Sequence, residues 1–530
     1  MKRKSGSSDL HVNPLPIQIV KCPLKSPSAF GVEKLQPFFP PIETLFKTES
    51  LDRVSEYGIK FEEPINSIFD NKVKTLSGEY EVHPKITMLL SPFKWMKGEH
   101  TSLDLPTVSQ KANVTHTKLQ SPNSAGYVGA ILSVGLSHSE CDHFPRVFGT
   151  YTGISTSHTI DISDDYEELS ECSWFTKNIG KTFELKLNEV PSSYIEYTRS
   201  ARVPLELGEE VDLSDLEEIA GIETDVTNPA AITRLFGDDS TSVVSDSSSD
   251  ISTSYIFAIG SVSTSDNFSV NSSDEENEPF AWATFKNVPV QLTIYEKLDG
   301  TFYDLLKMHP ESEKHFAWLA QVVFGLAYAQ RNFSFIHNDL HGNNIMFVKT
   351  DKEYFYYLCE NVHYKLPTYG YLLKIIDFDR GIGSIKLPGM KEPRVFMSDQ
   401  FDLKEEAGGQ YNTPPFYNPK YPTIKPNPSF DLVRLATSLF WDLFPEGPKF
   451  DDYLNNPMFK IFIKWLTFPD TSSVLFFRHN PKIDRYYGFD LYKAIARYAK
   501  DTAIPRKEIS EFKQFIGSIP FGETFLNIDK

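Results

Sequence analysis

The chain has 530 residues, 40% hydrophobic and 14% aromatic, enough to bury a sizeable core and to form two or more domains or lobes. Its 53 Lys and Arg against 71 Asp and Glu leave a formal charge of −18, which works against non-specific binding to nucleic acid or anionic lipid. Cys22, Cys141, Cys172 and Cys359 lie far apart without a CxxC pair, so neither a zinc knuckle nor a disulfide framework is indicated, and a reducing compartment is the simpler reading.

The start, MKRKSGSSDLHVNPLPIQ, is basic but lacks the apolar core of a signal peptide. No run approaches the ~20 apolar residues that span a bilayer, so a soluble intracellular protein without a membrane partner is expected. Residues 1–55, rich in Pro, Ser and Lys, predict a loosely ordered N-terminal arm. EVHPKITMLLSPFKWMKG then carries a strand-like run, Ile86 to Leu90, stopped by Ser91-Pro92. NSAGYVGAILSVGLSHS predicts a short helix with Tyr127, Ile131 and Val134 on one face.

Residues 205–278 change texture. Stretches such as DDSTSVVSDSSSD and VNSSDEENEP cannot bury enough apolar surface to offset the entropy of ordering, and predict a disordered acidic insertion. The plain reading is a solvated loop; a sharper one is that its Ser-Asp clusters are phosphorylated or dock a basic partner. Order returns at Phe280. VPVQLTIYEKL alternates as a strand through Val290, Leu292 and Ile294, and DGTFYDLLKM turns into a short helix. ESEKHFAWLAQVVFGLAYAQRN places Phe316, Leu319, Val323, Leu326 and Ala327 at helical spacing, with acids at its start and an arginine at its end.

That helix delivers the chain to FIHNDLHGNNIM, in which two histidines, an aspartate and three asparagines are crowded into twelve residues. A strand leaves the loop at Asn344, and a second strand, Leu372 to Ile376, ends in Asp377-Phe378-Asp379. Helix, polar loop, strand, aromatic insertion, strand and acidic triplet in this order suit phosphoryl transfer. One aspartate orients an acceptor hydroxyl, while an asparagine and a second aspartate hold Mg²⁺ against the charge building on the γ-phosphate.

The match is H-x-D-L-x-x-x-N at His337, Asp339, Leu340 and Asn344, followed by D-F-x at Asp377-Phe378-Asp379, and it resembles the protein-kinase-like superfamily. The D-L-H step at Asp339-Leu340-His341 is similar to haspin-type kinases, and the I-D-F-D ending to choline-kinase and aminoglycoside-phosphotransferase relatives. Lys85-Ile-Thr-Met-Leu-Leu-Ser-Pro-Phe-Lys-Trp-Met-Lys-Gly resembles a segment of protein-kinase-like proteins of giant DNA viruses. The resemblance implies a catalytic set of His337, Asp339, His341 and Asn344. Mg²⁺ would lie on Asn344 and Asp377, ATP on Lys85 and Asp377 with its adenine near Glu296 and Lys297, and Asp431 and Phe378 would brace the loop. The pattern also departs from the family. Asn338 stands where H-R-D has arginine, His341 where a phosphate-binding lysine is usual, and Asp379 where D-F-G has glycine; no G-x-G-x-x-G precedes Lys85, and 124–139 holds no acid to pair with it.

The expected fold is α+β and bilobal, protein-kinase-like, with a β-rich small lobe and a helical large lobe interrupted by the acidic insertion. The predicted segments are the arm 1–55, small lobe 56–204, insertion 205–278, end of the small lobe and hinge 279–298, and large lobe 299–530. The first functional reading is an ATP- and Mg²⁺-dependent kinase of protein Ser/Thr hydroxyls, placed in the host cytoplasm or the virion, with protein substrates and no nucleic acid as partners. The alternatives are a small-molecule phosphotransferase and a pseudokinase that binds without transfer.

Overall fold

The computed structural model describes residues 15, 17–22, 27–37, 56–61, 63–100, 119, 121–188, 260–261, 280–386, 390–477, 484–486 and 488–530. The fold is mixed α+β with several sheets. Apart from Gly260 and Ser261, the predicted acidic insertion lies outside the described residues.

In the first half, β1 (Ile19–Lys21) pairs with β4 (Tyr57–Ile59). A nine-stranded sheet follows. Its path joins β2 (Ser28–Ala29), β3 (Val32–Gln36), β8 (Val147–Asp161), β11 (Ala281–Glu296), β7 (Glu79–Met88), β6 (Lys72–Lys74) and β5 (Ser67–Phe69). The short strands β9 (Glu184–Leu187) and β10 (Gly260–Ser261) pair with β11 and β8. Strand β11 is the spine, antiparallel to both β7 and β8. From Val288 to Tyr295 it is buried on both faces, so its polar alternates Gln291 and Thr293 are interior too, bonded around Thr150. Part of the arm predicted as loosely ordered belongs to this sheet: β3 pairs with β8 and buries Val32 and Leu35, which gives that short segment a reason to order.

Helix α1 (Pro92–Met96), capped by Ser91, follows β7. Helix α2 (Ala125–Ser137) packs so closely on the sheet that a Cβ at Gly126 would meet Gln291 and Leu89 at 3.0 and 3.2 Å. The one-faced helix expected here is buried over its whole length from Gly126 to Leu136. Its far side meets the hairpin of β17 (Ile382–Ile385) and β18 (Arg394–Met397): Leu132 leaves no room for a side chain at Gly381 or Gly383, nor Ile385 for one at Gly135.

The second half is mainly helical. Strand β12 (Gly300–Thr301) leads into α3 (Phe302–Met308), which carries a capping box between Thr301 and Asp304. The long helix α4 (Ser312–Phe333) and the helices α5 (Phe430–Leu443), α6 (Pro457–Trp465) and α7 (Phe489–Tyr498) bury Trp318, Phe324, Phe440, Trp465 and Ile495. A small antiparallel sheet orders β12, β13 (Ile345–Lys349) and β16 (Tyr371–Ile375). The aromatic insertion between β13 and β16 is a hairpin of β14 (Tyr354–Cys359) and β15 (Val362–Pro367). It turns at Glu360-Asn361, both at positive φ, as a two-residue hairpin turn requires, and β19 (Leu526–Asn527) adds to β14 in parallel. All four cysteines are free thiols, and among the described residues no helix is long and apolar enough to cross a membrane.

Candidate active site

Crowding polar side chains into 335–346 serves a backbone that runs through the interior without a ladder of its own. Helix α4 ends at Ser334 in the left-handed region, and Ile336 exchanges two 2.8 Å hydrogen bonds with Ile382. The next two N–H groups, of His337 and Asn338, donate to the two oxygens of Asp431 at 2.9 and 3.0 Å. Asp431 is fully buried in the first turn of α5. Asn338 sits at φ +66°, a conformation its short polar side chain tolerates; its amide donates to the Arg380 carbonyl and its Oδ1 accepts the Tyr411 hydroxyl at 2.6 Å. His337 Nε2 donates to the Ile376 carbonyl at 2.6 Å, and Nδ1 accepts the Asp339 N–H. Phe378 is buried in edge contacts with Phe144, Phe335 and His337.

Strand register gathers the motif. Ile345 stands opposite Ile375, and the Ile376 N–H donates to the Asn344 carbonyl, so the ends of both strands put Asn344 and Asp377 side by side. The Asn344 amide nitrogen donates to the Asp339 carbonyl at 2.9 Å and to His341 Nε2 at 3.1 Å. Asp339, His341, Asn344, Asp377 and Asp379 line one cleft of about 800 Å³ with Thr87 to Pro92, Arg380, Arg434 and Tyr492. That volume is within the usual range for small-ligand sites.

Electrostatics distinguish the groups. Burial works against the charge of Asp339, but Arg380, His341 and Arg434, with the Tyr492 hydroxyl donating to Oδ1 at 2.6 Å, outweigh it and bring its pKa down to about 2. Burial pushes His341 down to about 4, so it is neutral near pH 7 and accepts from Asn344. The cations lining this side of the cleft are Arg380 and Arg434.

Lys85 projects from β7, and its Nζ lies 2.6 Å from Asp377 Oδ1 and 2.9 Å from Asp379 Oδ2. Burial opposes its charge, yet the two carboxylates raise its pKa overall. Burial likewise opposes ionisation of Asp377, and Lys85 outweighs it, leaving that pKa lowered; for Asp379 burial, aided by the Asp377 charge, prevails and the pKa is raised. The Thr87 hydroxyl donates to Asp379 Oδ2 at 3.1 Å.

Four of the expected catalytic and ATP-binding residues, Lys85, His337, Glu296 and Lys297, do not line the cleft, although Lys85 meets Asp377 and Asp379, which do. Glu296 pairs with Lys374 at 2.7 Å and accepts the Arg146 N–H, and Lys297 pairs with Glu81 at 2.9 Å. Their backbone N–H groups donate to the carbonyls of Arg146 and Glu81. Sequence reasoning missed Arg380, Arg434, Tyr492 and the Lys85 contact of Asp379. Arg434 was the most accessible of these, because it follows Asp431 by three residues on one helix and so shares its face. Compared with known protein families and with curated proteins, the chain matches none of them.

Proposed function

We propose that the protein is an ATP- and Mg²⁺-dependent phosphotransferase with a bilobal protein-kinase-like fold, similar to kinases of giant DNA viruses and acting on Ser/Thr hydroxyls of protein substrates inside the cell. The observation that carries this reading is the meeting of Lys85 and Asp377 at 2.6 Å across 292 residues of sequence, Asp377 lining a cleft that Asp339 and Asn344 also line.

Each residue has a chemical part. Asp339, with its pKa near 2, is too weak a base to hold the acceptor's proton at neutral pH, so it orients the hydroxyl by a hydrogen bond. Asn344 has committed its nitrogen, which leaves Oδ1 as its metal-binding atom, and Asp377 supplies a carboxylate beside it. This pair fits Mg²⁺, which takes one or two protein oxygens and completes its shell with water and substrate phosphate. The ion supplies neutralisation of the phosphate charge. Lys85 would pair with the phosphate chain, and Arg434 would supply a positive charge on the acceptor side.

A second reading is favoured by Tyr492, whose hydroxyl donates to one oxygen of Asp339, and by the committed N–H groups of Glu296 and Lys297. In that reading the chain binds nucleotide or partners without transfer. The deciding experiment follows labelled γ-phosphate from Mg·ATP with the full chain, mixed acidic and basic proteins and small hydroxyl compounds as acceptors, beside Asp339→Asn and Asp377→Ala. Label on protein that vanishes in both variants supports the kinase. Label on small molecules alone makes it a small-molecule phosphotransferase, and nucleotide binding without transfer supports the scaffold.

A further inference from the structure

The acid that should hold Lys85 from helix α2 does not exist, since no acidic residue occurs between 124 and 139. Lys85 nevertheless has two carboxylate partners, and they differ in what else they can do. The Asp377 side chain is 44% exposed, beside Asn344 at the cleft; that of Asp379 is 21% exposed and faces α2. There it meets a position without a side chain. A Cβ at Gly129 would stand 2.0 Å from Asp379 Oδ1 and 3.2 Å from its Cγ, so the carboxylate occupies the space that any other residue on that turn would fill. Thr87, two residues along β7 from Lys85, holds the other oxygen.

We infer that Asp379 is the positioning residue for Lys85, seated against α2 by Gly129, and that it keeps the lysine in place while Asp377 serves a metal. The purpose of the device rests on the phosphotransferase reading. A divalent cation on Asp377 withdraws that oxygen from Lys85 and repels the ammonium at short range, so a lysine with Asp377 alone would lose its anchor on loading. With Asp379 the anchor comes from the residue after the triplet's phenylalanine rather than from the helix, and the helix contributes only a vacancy.

The pairing is testable without any activity. In the nucleotide-free full chain, competitive acylation at one mildly alkaline pH, read by mass spectrometry, reports how firmly the Lys85 amine is held. Asp377→Asn is expected to leave that rate within about threefold of the native chain, and Asp377→Asn/Asp379→Asn to raise it roughly tenfold or more, since an ammonium freed of its carboxylates reacts faster. Gly129→Ala in the Asp377→Asn background is expected to match the double variant, because the added methyl displaces Asp379. A Lys85 already as reactive in Asp377→Asn as in the double variant overturns the inference. In transfer assays Asp379→Asn is expected to raise the KM for Mg·ATP about tenfold with the Mg²⁺ requirement unchanged, by loss of one charged partner of Lys85. A raised Mg²⁺ requirement would make Asp379 a metal ligand instead, and overturn it. A native chain without nucleotide binding or transfer sinks the phosphotransferase reading, while the labelling still decides the pairing.

Discussion

Removing Asp431 tests whether the loop is held from α5. Its two oxygens accept the His337 and Asn338 N–H groups at 2.9 and 3.0 Å in a fully buried position, where no water can take over. Hydrogen bonds to a charged group contribute about 1.5–3 kcal/mol each, so losing both amounts to about 3–6 kcal/mol. Part of this is returned, because the carboxylate is itself held against burial, which raises its pKa. Asp431→Ala is thus expected to cost about 3 kcal/mol net, and Asp431→Asn, which keeps one acceptor, about half of that. Urea unfolding at unchanged slope measures both, and hydrogen exchange at residues 337 and 338 localises the effect. A loss below about 1 kcal/mol for Asp431→Ala, less than one such bond, or equal losses in the two variants, refutes the reasoning.

Tyr492→Phe removes the hydroxyl that competes for Asp339 and is expected to lower the KM for an acceptor by about tenfold, the worth of one hydrogen bond to a charged group; a fall in kcat instead would mean that Tyr492 positions Asp339. His143 donates from Nδ1 to the Leu373 carbonyl and accepts the Tyr357 hydroxyl at Nε2, and burial lowers its pKa to about 4. The unfolded chain protonates first, so this stability is complete above about pH 6.5 and is lost as pH falls toward 4, by roughly 3 kcal/mol; unfolding of His143→Gln across that window should show a flatter pH dependence than the native chain. Gly325 on α4 faces His143 so closely that a Cβ would lie 2.8 Å from that of the histidine, and Gly325→Ala is expected to destabilise by about 1–3 kcal/mol in the same urea assay, with no loss counting against the packing.

What the sequence revealed of this site was local. His337, Asp339 and Asn344 share one loop, Asp377 follows the next paired strand, and β13 and β16 are short apolar runs whose antiparallel pairing brings Asn344 and Asp377 to one end. Lys85 was readable from the resemblance of its segment and from its place at the entry of the apolar run Ile86 to Leu90. The contacts that modify this picture span long separations. Tyr492 comes from a helix 153 residues beyond Asp339, and Asp379 meets Lys85 only because α2 carries a glycine at 129, which in the sequence looks like one more small residue. Glu296 and Lys297 were read from the resemblance of their segment to a strand and hinge, which says nothing of the ion pairs with Lys374 and Glu81 that take up their side chains. The order in 28–36 was equally hidden, because β3 depends on the edge of β8, more than a hundred residues away.

The charge lining the cleft bears on how a nucleotide could enter. Asp339, Asp377, Asp379, Asp399, Glu405 and Glu406 line it, against Arg380 and Arg434, while Lys85 and Lys94 reach it only through their ion pairs with Asp377 and Glu405. Burial raises the pKa of Asp379 and of Glu406, while Asp339 and Asp377 have lowered values and stay ionised. His341, neutral at pH 7, adds no cation. A triphosphate entering alone would meet Asp377 at close range with Lys85 already engaged. On the phosphotransferase reading, binding would require the charge of a divalent ion, and chelation is expected to weaken ATP binding by about a thousandfold, the scale of one charge contact at an effective dielectric near 20. Calorimetric titration with ATP in Mg²⁺ and in EDTA decides this. Equal affinity in both would mean that Arg380 and Arg434 receive the phosphates, and that Asn344 and Asp377 are not there to hold a metal.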